Sequence, residues 1–96
     1  MFWCKVFRTK YEIVLALCDE KLIDKIIDKE KDIKVSKYFY GGQLIDEEKA
    51  VKFMGKATIG NLIWKDIVNV AEKNGFISKE NVILINEIPH AQFAKI

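Results

Sequence analysis

The chain has 96 residues, of which half are hydrophobic and 31% are charged. This length fits a single domain, because two separate cores would each be too small to be stable. Apolar content this high excludes disordered and low-complexity classes. With 16 basic and 14 acidic residues the net charge is +2, far from the strongly basic balance of a dedicated nucleic-acid-binding protein.

The cysteine content and the N-terminus predict a cytoplasmic protein. A chain this apolar does not need the disulfides of small secreted domains, so we expect Cys4 and Cys18 to be reduced. Lys5 and Arg8 interrupt the first apolar residues before the core of a signal peptide could form. No apolar run approaches the roughly 20 residues that cross a bilayer, so no membrane partner is expected. All but one of the 16 basic residues are lysine, a bias typical of thermophilic sources.

Alternating bulky residues predict two strands at the start of the chain. Residues 2–8 have a period of two, and residues 11–18 are apolar on both faces, as expected of a central strand. Asp19 is then the predicted N-cap of a short helix that ends near Asp28. Its apolar stripe consists of Leu22, Ile23, Ile26 and Ile27.

A third strand is predicted over residues 33–40. Ile33, Val35 and Phe39 would share one face, and Lys34, Ser36, Tyr38 and Tyr40 the other, partly wet face. Gly41 and Gly42 follow and permit a sharp turn.

Two helices and a last strand complete the predicted fold. After a short pairing segment at 43–45, Asp46 caps one helix, and the next begins near Thr58 or Asn61 and ends at Gly75. Residues 82–85 form a core strand, and Pro89 predicts that the segment from Glu87 lies at an edge of the sheet or leaves it. The order β-β-α-β-α-α-β predicts a single α+β domain with a mixed sheet and helices packed on one or both faces.

Cys18 and Asp19 stand at a predicted strand-to-helix junction, where the helix dipole would favour a reactive thiolate. A structural role is favoured, because Cys18 falls on an apolar face and Asp19 is an ordinary cap. Cys4, Cys18 and His90 are the only soft or imidazole ligands and lack the spacing of a metal site, so we expect no metal and no cofactor. The acidic run at Asp46 predicts a helix start instead of a catalytic pair.

The alternate residues Lys34, Ser36, Tyr38 and Tyr40 would place a cation, a hydroxyl and two rings on one strand face. Several RNA-binding folds stack bases on such rings, and Gly41-Gly42 would let a phosphate approach the backbone. Tyrosine in a strand and a Gly-Gly turn are also common structural features, which favours a structural or partner-facing role.

A lone histidine follows the only proline of the chain. In an extended backbone His90 and Gln92 lie on the same side, where two hydrogen-bonding groups could recognise the edge of a ligand. The same groups could instead tie a terminal strand to its neighbour.

Four segments together resemble a known family: Ala16-Leu17-Cys18-Asp19-Glu20, Phe39-Tyr40-Gly41-Gly42, the run from Ala57 to Leu62, and Pro89-His90-Ala91-Gln92. Over nearly the full length the chain resembles the small archaeal proteins classified as domain of unknown function four hundred and twenty-four. The resemblance implies an archaeal cytosolic protein and carries over no catalytic residue. It singles out nine positions as matching family motifs: Cys18, Asp19, Tyr40, Gly41, Gly42, Asn61, Pro89, His90 and Gln92.

Three functional hypotheses follow. The leading one is a non-catalytic module that binds RNA or a ribonucleoprotein in archaeal translation or ribosome maturation, through Tyr38, Tyr40, the Gly-Gly turn and the His90/Gln92 edge. The alternative is a protein-interaction or homodimer module anchored by aromatic residues, namely Trp3, Tyr38, Tyr40 and Trp64. The third is a small enzyme that uses Cys18 or His90, and it has the least support because no partner set accompanies either residue.

Overall fold

The computed structural model describes residues 1–22, 26–28 and 33–95. These residues form eight strands and three α-helices. In chain order they are β1 (Phe2–Arg8), β2 (Ile13–Asp19), β3 (Ile26–Asp28), β4 (Ile33–Lys34), α1 (Lys37–Tyr40), β5 (Gln43–Ile45), α2 (Glu47–Lys56), β6 (Ile59–Ile63), α3 (Lys65–Lys73), β7 (Val82–Ile85) and β8 (Ile88–Ala94). Single 3-10 turns span Glu20–Leu22 and Lys79–Asn81.

Six of the strands form one mixed sheet in the order β5-β1-β2-β6-β8-β7. The β2–β6 pair is parallel and the other neighbours are antiparallel. The remaining two strands, β3 and β4, form a separate antiparallel pair. The predicted α+β fold with a mixed sheet is therefore confirmed.

Helices pack on both faces of the six-stranded sheet. The larger core lies between one face and the helices α2 and α3, and Leu15, Leu17, Met54, Leu62 and Ile67 are fully buried there. We call this the helix-covered face. A second cluster on the opposite face contains Ala16, Cys18 and Tyr40, and α1 packs there against β1 and β2. The fold therefore buries most of one face and the other only over part of its width.

Helix α2 begins as predicted, because the carboxylate of Asp46 accepts a hydrogen bond of 2.9 Å from the amide of Lys49. The prediction for the next helix is wrong at its start. Residues 59–63 form strand β6, and α3 begins only at Lys65. The spacing of the apolar residues in this run fits both a helix and a strand, and the pairing with β2 makes it a strand. The predicted end is confirmed, since α3 stops at Lys73 and Gly75 has a φ of +80°.

The predicted helix over residues 19–28 is also wrong. A 3-10 turn spans Glu20–Leu22, and Ile26–Asp28 is a strand paired with β4. Isoleucine is β-branched and suits a strand better than a helix, so the apolar stripe was compatible with both. Residues 23–25 of the prediction lie outside the described part of the chain.

The predicted third strand extends over only Ile33–Lys34. Ser36 instead caps α1, because its hydroxyl accepts a hydrogen bond of 3.3 Å from the amide of Phe39. A helix rotates successive side chains by about 100°, whereas a strand alternates them. Tyr38 and Tyr40 therefore do not share a face: Tyr38 is exposed and Tyr40 is buried.

Pro89 does not mark an edge of the sheet, because β8 lies between β6 and β7. The Pro89 carbonyl accepts a hydrogen bond of 2.8 Å from the amide of Trp64, so its backbone groups face β6. The Trp64 carbonyl, which a residue other than proline would need as acceptor, instead accepts from the Val68 amide at 3.2 Å. Trp64 reaches this position with a φ of +94°, a region nearly restricted to glycine. The missing N–H of Pro89 thus costs no ladder bond.

Two glycines give opposite expectations for substitution by alanine. A Cβ at Gly60 would collide with the ring of Phe93 on the neighbouring strand, whereas a Cβ at Gly55, in α2, would meet nothing within 4 Å. We expect Gly60→Ala to destabilise the protein by about 1–3 kcal/mol and Gly55→Ala to stabilise it by about 0.5–1 kcal/mol. Urea unfolding of both variants measures this, and equal effects would contradict the predicted contact at Gly60.

Candidate functional site

The face opposite the two long helices is open beyond the reach of α1. Antiparallel and parallel registers align Lys5, Ala16, Asn61 and Gln92 in one row across four strands, and Cys18, Ile63 and His90 in the next. Side chains in such rows point to the same face of a sheet. Ala16 and Cys18 are buried beneath the second cluster, while Asn61 and His90 are partly exposed and Gln92 is exposed. We call Asn61, His90 and Gln92 the open strip.

Asn61 and Gln92 form a hydrogen-bonded pair within the open strip. The Gln92 amide Nε2 donates to Asn61 Oδ1 at 2.5 Å. An amide group carries both donors and acceptors, so this bond leaves Asn61 Nδ2 as a donor and Gln92 Oε1 as an acceptor toward solvent. A donor beside an acceptor matches the edge of a nucleobase or of another amide. Sequence reasoning placed these two residues on a helix and a strand, and the structure brings them together on adjacent strands.

His90 lies beside this pair, on the same side of β8 as Gln92. Burial lowers the pKa of its imidazole from the ordinary value of 6.5. Among the described residues no hydrogen bond to its ring is formed, and neither ring nitrogen is fully buried. A neutral imidazole offers one donor and one acceptor.

The lowered pKa of His90 makes stability depend on pH. A histidine that binds its proton less tightly when folded gives stability that is present above pH 6.5 and is lost as the pH falls through its lowered pKa. We expect the free energy of unfolding to rise from pH 5 to pH 7 and to rise less steeply in His90→Gln. Urea titrations of both proteins across that range measure the difference, and parallel pH profiles would contradict it.

Tyr38 presents the exposed ring nearest to the first row. It is 80% exposed, and Lys5 Nζ donates to its carbonyl at 2.5 Å while lying 4.5 Å from the centre of its ring. Lys5 is two strands from Asn61 in the same row, which corresponds to about 10 Å. Tyr38 and Lys5 therefore lie on the same side of the sheet as the open strip, and the buried Ala16 with the second cluster above it separates them from that strip.

Tyr40, Gly41 and Gly42 have structural roles in this arrangement. Tyr40 is packed in the second cluster near Cys18, and burial raises its pKa to about 12. Gly41 forms a tight turn in which the Gly42 amide donates to the Tyr40 carbonyl at 3.0 Å. A Cβ on Gly42 would collide with the carbonyl of Cys4. The space beside these glycines that a phosphate would need is thus occupied by the backbone of the protein itself.

The Cys18 thiol is buried, and burial together with the charge of Asp19 raises its pKa to about 12. A thiol with this pKa stays protonated at neutral pH, which is unfavourable for a nucleophile. The described residues directly after Asp19, Glu20–Leu22, form a 3-10 turn and not the first turn of an α-helix that would lower that pKa. Cys4 is also a free thiol and lies on the helix-covered face, whereas Cys18 lies on the other.

Asp19 and Pro89 lie away from the open strip. Asp19 is buried at the end of β2, and its carboxylate accepts hydrogen bonds from the amides of Asp66 at 3.1 Å and Ile67 at 2.9 Å. It therefore caps α3, whose own N-cap residue, Trp64, offers no capping side chain. Burial raises the pKa of Asp19, while the two backbone hydrogen bonds lower it and leave a net increase. Of the nine motif positions, Asn61, His90 and Gln92 form one accessible group.

A basic cleft adjoins the Gly-Gly turn, and the predictions from sequence missed it. It has a volume of about 220 Å³ between β5 and α2, and it is lined by Gln43, Lys49, Lys52, Phe53 and Lys56. The positions 49, 52 and 56 fall on one side of a helix, which is the signal that could have revealed it. Lys52 also forms a salt bridge of 3.6 Å with Glu48, both being largely exposed, so this pairing is weak.

Within the described residues, no three histidine, cysteine or acidic side chains lie close enough to hold a metal ion. No helix in the same part of the chain is long and apolar enough to cross a membrane.

A family model described as "Protein of unknown function (DUF424)" matches residues 7–96. The chain belongs to this family. Among curated proteins, no relative matches it.

The DUF424 chain is similar to a solved structure described as an uncharacterized conserved protein from Methanopyrus kandleri. The two share 20% sequence identity with a TM-score of 0.82, over 99% of this chain and 93% of that one. At this identity the similarity establishes the fold of the DUF424 domain, and the family resemblance expected from its four sequence segments is confirmed.

Proposed function

We propose that this protein is a non-catalytic module that binds single-stranded RNA, alone or within a ribonucleoprotein, on the open strip and on Tyr38, which lies on the same side of the sheet. The observation that carries the proposal is the outward donor and acceptor of the Asn61–Gln92 pair, with an exposed ring on the same side of the sheet. Sequence-specific RNA recognition typically combines stacking on aromatic rings with hydrogen bonds to base edges.

The basic cleft supports the same proposal. A Cβ on Gly42 would lie 3.1 Å from Lys5 Cα, and Gly42 leads directly into Gln43, which lines the cleft. The chain of contacts thus runs from Tyr38 through Lys5 and the glycine turn to three lysines. The cleft lies beside α2 on the helix-covered side, so a single strand bound at Tyr38 would reach it by passing over the β5 edge of the sheet. The net charge of +2 predicts modest affinity.

A binding assay with a matched control tests the proposal. We expect Tyr38→Ala to weaken binding of a fluorescein-labelled, mixed-sequence single-stranded RNA about tenfold, since stacking contributes about 1–3 kcal/mol per base. Tyr11→Ala is the control, because Tyr11 is equally exposed at 80% and also lies beside a lysine. Equal affinities of the two variants, or absence of binding by the parent protein, would overturn the proposal.

A cellular role in archaeal translation or ribosome maturation is the finer part of the proposal. An archaeal, thermophilic source and a cytoplasmic location remain predictions, supported by the lysine-rich composition and by a similar structure from an archaeon. Affinity purification of the tagged protein from its host, with and without ribonuclease, tests it. Ribosomal components that are lost on ribonuclease treatment are the expected result, and a ribonuclease-resistant single partner would contradict it.

The alternative hypotheses have less support. Of the four proposed aromatic anchors of a dimer, Trp3 and Trp64 are partly buried, Tyr40 is buried, and only Tyr38 is exposed. An enzyme would need Cys18 or His90 to act, but the raised pKa of Cys18 and the absence of a described hydrogen-bond partner for His90 both argue against it.

A further inference from the structure

Strand β7 is a short edge strand without a charge, a proline or a bulge. Its four residues, Val82–Ile85, are all apolar, and two of them, Ile83 and Leu84, are 57% and 68% exposed on opposite faces. Natural edge strands normally carry a charge, a proline or a bulge that prevents pairing with another chain. The opposite edge strand, β5, follows the usual pattern more closely, since its Leu44 is 39% exposed and its Gln43 is polar.

The backbone of Leu84 points to the open edge. Leu84 stands opposite Pro89 in the β7–β8 pair, and the backbone groups of Pro89 face β6. In an antiparallel pair of strands, the backbone groups of two residues that stand opposite each other either bond to each other or both point away from the partner strand. The N–H and C=O of Leu84 therefore point away from β8, ready to bond to a further strand. The N–H of Val82 is already used, because it donates to the Lys79 carbonyl.

We propose that β7 pairs with β7 of a second copy of this chain, antiparallel and centred on Leu84, so that two six-stranded sheets form one continuous sheet. A two-fold axis midway between the two Leu84 residues lets the Leu84 backbone of each copy donate one hydrogen bond and accept another. The axis is perpendicular to the sheet, so the helix-covered faces of both copies lie on the same side. The four exposed apolar side chains of the two copies then cover one another across the junction.

The open edge is complementary to itself, which favours a second copy as the partner. Leu84 presents one backbone donor and one backbone acceptor to the edge, and antiparallel pairing about Leu84 satisfies both in each copy. The exposed charges at the ends of the junction, Lys79 and Glu80 of one copy beside Glu87 of the other, give one opposite-charge and one like-charge approach and therefore select no partner.

The short edge predicts a weak dimer. Small interfaces lie at the low end of stable association, so we expect a dissociation constant on the order of 100 µM. The dimer would place two open strips on one side of a doubled sheet, with the β7 strands between them. This proposal stands on the edge strand alone and does not depend on RNA binding.

Sedimentation velocity from about 10 µM to 1 mM, without RNA, tests the dimer. We expect the parent protein to shift from monomer to dimer, Leu84→Lys to remain monomeric, and Leu44→Lys on the other edge to behave as the parent. Both replaced leucines are exposed, so both variants should fold. A parent protein that is monomeric at 1 mM, a dimer that persists in Leu84→Lys, or a dimer lost in Leu44→Lys would overturn the proposal.

Hydrogen exchange gives an independent readout on the parent protein. The amide of Leu84 is expected to exchange several-fold more slowly at 1 mM than at 10 µM, while the amide of Leu44 is unchanged. Slowing confined to another strand would assign the interface elsewhere and contradict the proposal.

Discussion

Asp19→Ala is expected to lower the free energy of unfolding by about 2–3 kcal/mol, which is among the largest effects of any substitution outside the apolar core. The side chain accepts two hydrogen bonds from the first turn of α3, and its loss leaves the amides of Asp66 and Ile67 without their acceptor. A lost helix cap typically costs about 1 kcal/mol, and an unsatisfied buried donor adds about 1–3 kcal/mol. Urea unfolding measures the total, and faster hydrogen exchange at Asp66 and Ile67 locates it.

Asp46→Ala is the matched control, because Asp46 caps α2 through a single bond at an exposed position. We expect it to cost about 1 kcal/mol or less. Asp19→Asn removes the charge together with one of the two hydrogen bonds, because the two amides bond to different carboxylate oxygens and the Asn side chain has a single accepting oxygen. Burial raises the pKa of Asp19 above 3.8, so the charged side chain contributes a loss of stability as the pH rises through that pKa, and Asp19→Asn removes this loss. An Asp19→Ala cost no larger than that of Asp46→Ala would contradict the buried double cap.

Simultaneous replacement of Lys49, Lys52 and Lys56 by glutamine is expected to weaken RNA binding about 100-fold at 0.1 M salt and hardly at all near 1 M. Each lysine that neutralises a phosphate of single-stranded RNA contributes about 0.7 to the slope of log affinity against log salt, so three contribute about 2. Anisotropy titrations at four salt concentrations give the slope directly. Tyr38→Ala should lower the affinity equally at every salt concentration, because stacking releases no counterions.

The control for this triple variant removes the same charge from the α3 side of the molecule. Lys65, Lys73 and Lys79 are exposed and lie outside the basic cleft. Their replacement by glutamine should leave the salt slope within about 0.5 of the parent value. If both triple variants lower the slope equally, the effect is one of net charge and the cleft is not the path of the phosphates.

The parts of the fold with an unambiguous local signal could be predicted from the sequence. Alternation defined β1, and the aspartate at position 46 with its acidic neighbours defined the start of α2. In both cases the local preference and the tertiary contacts agree, which is the condition under which short-range patterns are informative. The apolar run at 82–85 predicted a strand correctly, but the prediction of a core strand is wrong, because β7 lies at the edge of the sheet with Ile83 and Leu84 exposed.

The predictions of the remaining elements were wrong where the same residues fit both the helical and the strand period. The segment 59–63 satisfies a helical spacing with Ile67 and also the alternation of a strand, and only its partner β2, distant in sequence, decides between them. Asp19 has the chemistry of a cap, as predicted, but it caps a helix that begins 46 positions later, at Lys65. Sequence alone cannot assign a cap to its helix when the two are brought together only by the sheet.

The candidate site was predictable in its residues and not in its geometry. Asn61, His90 and Gln92 were singled out by their motifs, but their meeting on one face depends on the register between β6 and β8. The prediction that Tyr38 and Tyr40 share one face is wrong because Ser36 caps a helix there. A hydroxyl before an aromatic run permits both a strand and a capped helical turn.

The parallel pairing of β2 with β6 has a consequence for how the chain folds. The β1–β2 and β7–β8 hairpins each close over a few residues and can form early, because short loops cost little entropy. The β2–β6 contact joins segments 45 positions apart, as the bond between Ile13 and Thr58 shows, and it must close around α2. Such non-local closure slows folding. We therefore expect the slow step to be the docking of the β1–β2 hairpin onto the C-terminal strands β6, β8 and β7, with the central β2–β6 seam the last part of the sheet to become ordered.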